Sequence, residues 1–251
     1  MNPYPVGTML YTIQPYDNLW MLAQRYDTDI NTIASANQEI DLSSFPIGQS
    51  IFICPGYGYY LESYGIMTPV ISKKEADLKD YLRMLWEQHV AWTRLVILSM
   101  VFDLPDVDLV TNRLLRNPKD FQAALRPFYG DMIAFKFAAL FTSHLAIAGE
   151  LVKAAKAGNN QAATDAEKRW YANADEIAFF LAQINPYWSQ GDWRTMLHEH
   201  LRMTKQEAVD MLTKNYAAGI SQYDAIEKQA LKMAGVMAEG IASQFSNKFV
   251  G

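Results

Sequence analysis

Residues 9–55 read MLYTIQPYDNLWMLAQRYDTDINTIASANQEIDLSSFPIGQSIFICP, and their turn formers and apolar residues predict strand, helix, helix, strand. Leu10, Tyr11 and Ile13 make a short β-type run, ended by the turn-forming Pro15-Tyr16-Asp17-Asn18. Asp17 is placed to cap a helix carrying Leu19, Leu22, Ala23 and Tyr26 at a period of about 3.6. Ile30, Ile33 and Ala34 mark a second short helix that stops around Asn37. A polar loop then leads through Pro46-Ile47-Gly48-Gln49 into a strand, Ile51-Phe52-Ile53, closed by Pro55-Gly56. The expectation is a small α+β module over 1–56.

Outward from that module, residues 57–71 form a linker rich in Tyr and Gly, with Tyr57, Tyr59, Tyr60 and Tyr64 but no helical or strand period. From Ser72 the pattern is helical, and long helices joined by short loops predict an all-α antiparallel bundle over 72–251. Ser72 with Glu75, Ser189 with Asp192 and Thr204 with Glu207 have capping-box spacing, and Asn117-Pro118 reads as a cap followed by a first-turn proline. Long helices are expected near 73–103, 131–157, 160–184 and 205–246, with shorter ones near 106–116, 118–128 and 190–203.

Composition narrows the function classes. Of the 251 residues, 50% are hydrophobic, enough to build a sizeable core, and the net charge of -5 without basic runs argues against nucleic acid as a partner. The single cysteine, Cys54, allows no internal disulfide. Met1 to Pro5 lack the basic start and apolar core of a secretory signal, and no uninterrupted apolar run approaches the roughly 20 residues that span a bilayer. The expectation is synthesis in a cytoplasm without a signal peptide and without a transmembrane segment, a wall or coat being reached by assembly or lysis.

Inside the helical region, histidines fall on apolar stripes. Leu78, Leu82, Leu85, His89, Trp92, Val96 and Met100 recur at steps of three and four, as do Ile133, Phe137, Leu140, His144, Ile147 and Leu151. Trp193, Met196 or Leu197, and His200 offer a third such stripe, whereas His198 falls on the opposite face. Asn173 sits on the stripe of the helix near 160–184, with Asp175 and Glu176 following. In the last helix Ile220, Asp224, Glu227, Leu231, Ala234, Ala238, Ile241 and Phe245 form a candidate stripe on which Asp224 and Glu227 meet. Buried polar groups need partners, and inward histidines and carboxylates are how bundles hold metals. Two readings follow: a transition-metal centre (Fe, Mn or Zn) using His89, His144 and His200 with Asp224 and Glu227, Glu87 and Asp175 being further carboxylate candidates, or a structural polar network.

Tyr11-Thr12-Ile13, Asp17-Asn18-Leu19, Ala23-Gln24-Arg25-Tyr26, Ile33, Asn37, Ile40-Asp41 and Gly48-Gln49-Ser50-Ile51, in this order and spacing, resemble the LysM family. The resemblance implies a βααβ fold that binds peptidoglycan, chitin or another N-acetylglucosamine-containing glycan. It implies a groove between the first strand–helix loop and the loop before the last strand. Carried onto this sequence, that groove is lined by Asp17, Asn18 and Leu19 on one side and Ile40, Asp41 and Leu42 on the other. The family's usual Gly-Asp-Thr is here Tyr16-Asp17-Asn18, so an aromatic replaces the glycine.

The helical region resembles a family of helical proteins from spore-forming Gram-positive bacteria, through Leu85-Trp86-Glu87-Gln88-His89, Asn112-Arg113-Leu114-Leu115-Arg116-Asn117-Pro118 and Arg126-Pro127-Phe128-Tyr129-Gly130. Trp170-Tyr171-Ala172-Asn173-Ala174-Asp175-Glu176-Ile177 and Ile184-Asn185-Pro186-Tyr187-Trp188 continue it. Relatives sometimes carry an amino-acid-kinase label, but this region has no Gly-rich phosphate loop and no alternating strands. The leading expectation is a non-enzymatic cell-envelope or spore-coat protein, attached to glycan through its N-terminal module, whose bundle assembles with itself or with coat proteins. The alternative is a metal-binding bundle of hemerythrin or ferritin type with a storage or redox role.

Overall fold

Strand β1 (Met9–Thr12) pairs antiparallel with β2 (Ser50–Ile53), Tyr11 opposite Ile51. Between them lie the two short helices α1 (Leu19–Arg25) and α2 (Ile30–Ser35), the expected βααβ order. The computed structural model describes residues 8–15, 17–40, 47–56 and 71–249, with only the backbone at Trp20. It divides into two units, Met1–Val70 and Ile71–Gly251. The expected linker, save Ile71, lies outside the described residues.

The first unit is small enough that polar side chains organise it as much as its core of Ile13, Leu22, Ala23, Tyr26, Ile33, Ile51 and Ile53. Asn18, not Asp17, caps α1, its side chain accepting from the Met21 N–H at 2.9 Å. Asp29 caps α2 by accepting from the Thr32 N–H at 3.0 Å. Asn37 is 4% exposed and acts as a peg between α2 and β2. Its Nδ2 donates to the Ile33 and Phe52 carbonyls at 2.7 and 2.6 Å, and its Oδ1 accepts from the Phe52 N–H at 2.7 Å. The Gly56 N–H donates to the Tyr26 carbonyl at 2.9 Å, and a side chain there would run into the Asp27 backbone. That close approach explains why the strand ends in Pro55-Gly56.

Among the described residues the second unit has six α-helices, α3 (Lys73–Val101), α4 (Val107–Leu114), α5 (Asn117–Lys156), α6 (Asn160–Ile184), α7 (Gln190–Leu212) and α8 (Tyr216–Gln244), and a 3-10 turn at Ser246–Lys248. Helix α3 packs on α5, α5 on α6, α6 on α7, α7 on α8, and α8 returns to α3, while α4 leans on α3. The break expected between 128 and 131 is real. Gly130 has φ 78°, a left-handed value that suits glycine, so α5 is two helical halves meeting at a kink.

The expected boundary at Thr204 is not a boundary. Helix α7 runs through it to Leu212, because the Thr204 hydroxyl turns back to the His200 carbonyl at 2.9 Å and Glu207 pairs with Arg94 on α3. The chain turns instead at Lys214, whose φ is 62°, and the Asn215 N–H closes the turn on the Asp210 carbonyl at 2.7 Å. Ser72 and Ser189 cap α3 and α7 as their spacing predicts, each accepting at 3.2 Å. Asn117 does not cap its own helix but donates across to the Leu85 carbonyl at 3.0 Å.

One helical stretch within Val107–Lys156 is long and apolar enough by composition to cross a membrane, 33% of its most apolar window being buried in the bundle. This revises the expectation of no such stretch. Between Met132 and Gly149 the only charged residue is Lys136, and Met132 and Phe135 are 85% and 65% exposed.

Candidate functional site

Two places carry candidate chemistry, one in each unit. In the first, the β1–α1 loop is built around the Asp17 carboxylate. It accepts from the Tyr11 hydroxyl at 2.5 Å and the Gln14 N–H at 2.8 Å, with the Arg25 guanidinium at 3.6 Å. Burial pulls its pKa up, yet the Tyr11 and Gln14 hydrogen bonds and the Arg25 charge hold it below the usual carboxylate range. Arg25 also donates to the Tyr11 hydroxyl at 3.0 Å, and the Tyr11 ring meets Tyr26 edge-on at 5.6 Å. Asp17 and Asn18 are thus both engaged in shaping the loop, one by bracing it and the other by capping α1.

Leu19 and Ile40 are apolar, half-buried and packed on the same core, leaving part of each side chain open. An apolar floor of this kind suits the ring face and acetyl methyl of an N-acetyl sugar, with backbone groups supplying polar contacts. Tyr16, Asp41 and Leu42 lie outside the described residues.

In the bundle, His89 on α3, His144 on α5 and His200 on α7 all face inward, each 2% exposed. The His89 and His200 rings lie 5.5 Å apart, with Phe141 5.0 Å from His89 and Trp170 5.4 Å from His144. His144 shares its Nδ1 with the Asn173 Oδ1 at 2.9 Å, and Asn173 donates to the Leu140 carbonyl at 3.2 Å. His200 shares its Nδ1 with the Gln229 Oε1 at 3.1 Å, and Gln229 donates to the Met196 carbonyl at 2.7 Å. His89 has a buried Nδ1 with no hydrogen-bond partner. Burial pushes all three pKa values down, His144 to about 3 and His200 to about 4, and at His89 the two neighbouring histidines add to the lowering by burial. The result is a neutral aromatic–imidazole seam joining α3, α5, α6, α7 and α8.

The carboxylates expected beside it are elsewhere. Helix α8 buries Ala234, Ala238 and Ile241 as the stripe read from the sequence requires, but its first half turns Ile226 and Ala230 inward, so Ile220, Asp224 and Glu227 are out of phase with the buried face. Asp224 is exposed, and Glu227 hydrogen-bonds Glu87, whose pKa rises through burial and the Glu227 charge. Asp175 lies on the outer side, held by Arg194 at 3.0 Å and by His198 at 2.7 Å. His198 is half-buried, not simply exposed, its ring edge-on to Tyr171 at 4.9 Å. Among the described residues no group of three or more His, Cys, Asp or Glu is arranged to hold a metal ion.

Sequence reasoning missed Gln229 and the ion pair of the half-buried Arg94 with the buried Glu207. Arg94 also reaches the Gly219 carbonyl at 3.3 Å and lies 4.8 Å over the Tyr223 ring. Burial raises Glu207 to about 7 against the lowering by Arg94. The signal for this pair was the 3–4 spacing of Thr204 and Glu207 with the inward residues of α7.

Residues 11–53 match the LysM domain family, which agrees with the βααβ order and places β1 through β2 inside one module. No curated protein and no solved structure matches the chain.

Proposed function

We propose that the chain, with the LysM domain at residues 11–53 as its anchor, attaches to an N-acetylglucosamine-containing glycan of a bacterial envelope, peptidoglycan foremost. The observation that carries this reading is the family match together with the half-buried Leu19 and Ile40, Leu19 following directly on Asp17, which accepts from Tyr11, and Asn18, which caps the first helix. Leu19 supplies the contact with the sugar on one side of the groove, and Ile40, with Asp41 and Leu42, belongs to the other side that the family places there.

The bundle is the non-catalytic part, deposited with the anchor at the cell wall or in a spore coat, where it assembles with copies of itself or with coat proteins. Its buried histidines support a structural role, since His144 and His200 are each tied to a fixed amide and held neutral. One LysM module brings no avidity of its own, so assembly of several chains would strengthen attachment.

Co-sedimentation of the full chain with purified peptidoglycan, and titration with chitin oligomers, test the anchor. Wild type is expected to sediment with the glycan, and Leu19→Ala with Ile40→Ala to weaken binding about tenfold, or about 1.4 kcal/mol. Absence of binding in both wild type and Tyr16→Gly would sink glycan attachment. Labelling of sporulating cells separates coat from wall.

A further inference from the structure

We infer that the bundle holds a second binding site, independent of the glycan anchor: an apolar cleft that takes a medium-chain monocarboxylate amphiphile. A cleft of about 510 Å³ opens between α3, α4, α5, α6 and α7, walled by Val96, Ile97, Leu114, Leu145, Val152 and Ala208. That volume lies in the range of small-molecule sites, about 300–1,000 Å³. The walls belong to a hydrophobic cluster separate from the main core.

The cleft owes its space to small side chains on α5. Gly149 is one of them, and a Cβ there would meet only the Met100 methyl at 3.8 Å, an ordinary contact. Close helix packing therefore does not require glycine at this position, and the room it leaves belongs to the cleft. Three of the four threonines in the wall, all but Thr111, are poor hydrogen-bond donors to a guest. Thr93, Thr164 and Thr204 give their hydroxyl protons to the His89, Asn160 and His200 carbonyls at 2.7, 2.9 and 2.9 Å. The body of the guest is accordingly apolar.

The rim specifies its head. Glu150 is held by Arg169 at 2.7 Å and Glu167 by Lys205 at 2.6 Å. Lys153, exposed on the last turns of α5, is the charged lining residue without an ion partner among the described residues. A single anionic head beside an apolar chain complements that arrangement, and a carboxylate meets it without a second cation.

Calorimetry of the full chain with dodecanoate, below the concentration at which it forms micelles, tests the site. ω-Bromododecanoate adds a contact readout, because its bromine quenches a nearby indole and Trp170 lines the cleft. The expected result is one dodecanoate per chain and partial quenching that disappears in Trp170→Phe while the heat of binding remains. Lys153→Gln should weaken dodecanoate about tenfold and leave dodecanol unchanged. Gly149→Phe should abolish binding of both with the helical melt retained, and Ala163→Leu serves the same purpose should that variant fail to fold. No heat and no quenching with wild type would overturn the site. So would undiminished binding in the cleft-filling variants, or equal losses of dodecanoate and dodecanol in Lys153→Gln.

Discussion

Asn37 in the LysM domain and His89 in the bundle are polar side chains buried to nearly the same degree, 4% and 2% exposed, yet their surroundings treat them in opposite ways. Asn37 spends both ends of its amide on the backbone of α2 and β2. His89 is packed between Trp86 and Phe141 with its Nδ1 unpartnered. A module whose core, among the described residues, has seven buried hydrophobic side chains depends on each polar peg. A bundle with a far larger core tolerates an unsatisfied group of about 1–3 kcal/mol. The difference predicts where each unit is fragile: the module to loss of a single side chain, the bundle to a change of protonation.

The largest effect should be the response of the bundle to acid. His144 and His200 have folded pKa values of about 3 and about 4 against 6.5 when free, so the stability from keeping them neutral is complete above 6.5. It is lost as the pH falls from there towards the folded values, because the unfolded chain takes up protons that the folded one refuses. Each costs about 2 kcal/mol by about pH 5, and His89, pushed down by burial and by the two neighbouring histidines, acts in the same direction. Glu207 runs the other way: raised from 4.5 to about 7, its contribution is complete below 4.5 and lost as the pH rises through 7. It returns about 2 kcal/mol over the same interval, so these three groups together leave a net loss of about 2 kcal/mol, to which the loss from His89 is added. Urea unfolding of the bundle from about pH 7 to about pH 5 measures this. A flat profile would mean that the seam is protonated in the fold.

Asn37→Ala comes next. Three backbone partners lose their bonds at once, at about 1 kcal/mol each, so the module should lose about 3 kcal/mol. Hydrogen exchange of the module's amides in the full chain reads this directly, and the bundle's melting should not move. A module that keeps its protection would show that Asn37 is not the peg its contacts describe.

The same contrast explains what could be read from the residues. In the module, Asn37 and the loop around Asp17 have jobs fixed by local geometry, so their spacing along the chain points to the fold. Even there the roles of neighbours were exchanged, because Asp17 and Asn18 both suit an N-cap and only Tyr11 and Arg25, brought in by folding, decide which one braces the loop. In the bundle, His89, His144 and His200 were legible as inward because flanking Leu, Phe and Trp residues fix the helix phase. The phase of α8 was not. Its buried face mixes Ile226 and Ile241 with Ala, Met and Gly, and Ile220, 55% exposed, together with Leu231 offered an equally good apolar row in the first half of the helix. The error carried Asp224 and Glu227 inward with it. Thr204 and Glu207 misled for a related reason, since a hydroxyl that turns back on its own helix and an acid that pairs with Arg94 across α3 have the spacing of a cap.

The smallest effect is also the sharpest test of the comparison. Whichever nitrogen of His89 carries the proton, its imidazole finds no hydrogen-bond partner at the enclosed Nδ1. His144 and His200, by contrast, each have an amide to share. Leucine at position 89 keeps the contact with Trp86 and Phe141 while removing a polar group that water once solvated, so His89→Leu should stabilise the bundle by about 1 kcal/mol at neutral pH. It should also flatten the acid slope, since one of three neutral imidazoles is gone. His144→Leu and His200→Leu should do the reverse at neutral pH, because Asn173 and Gln229 would each lose a buried partner. The metal reading makes the opposite forecast for His89→Leu: a bound transition ion would make this variant, like the other two, less stable in loaded protein, and the ion would leave with the ligand. Comparing the three melts with elemental analysis of the same samples decides between them. A destabilised His89→Leu that has also lost a stoichiometric metal would end the idea that this histidine is tolerated by the core rather than used by it.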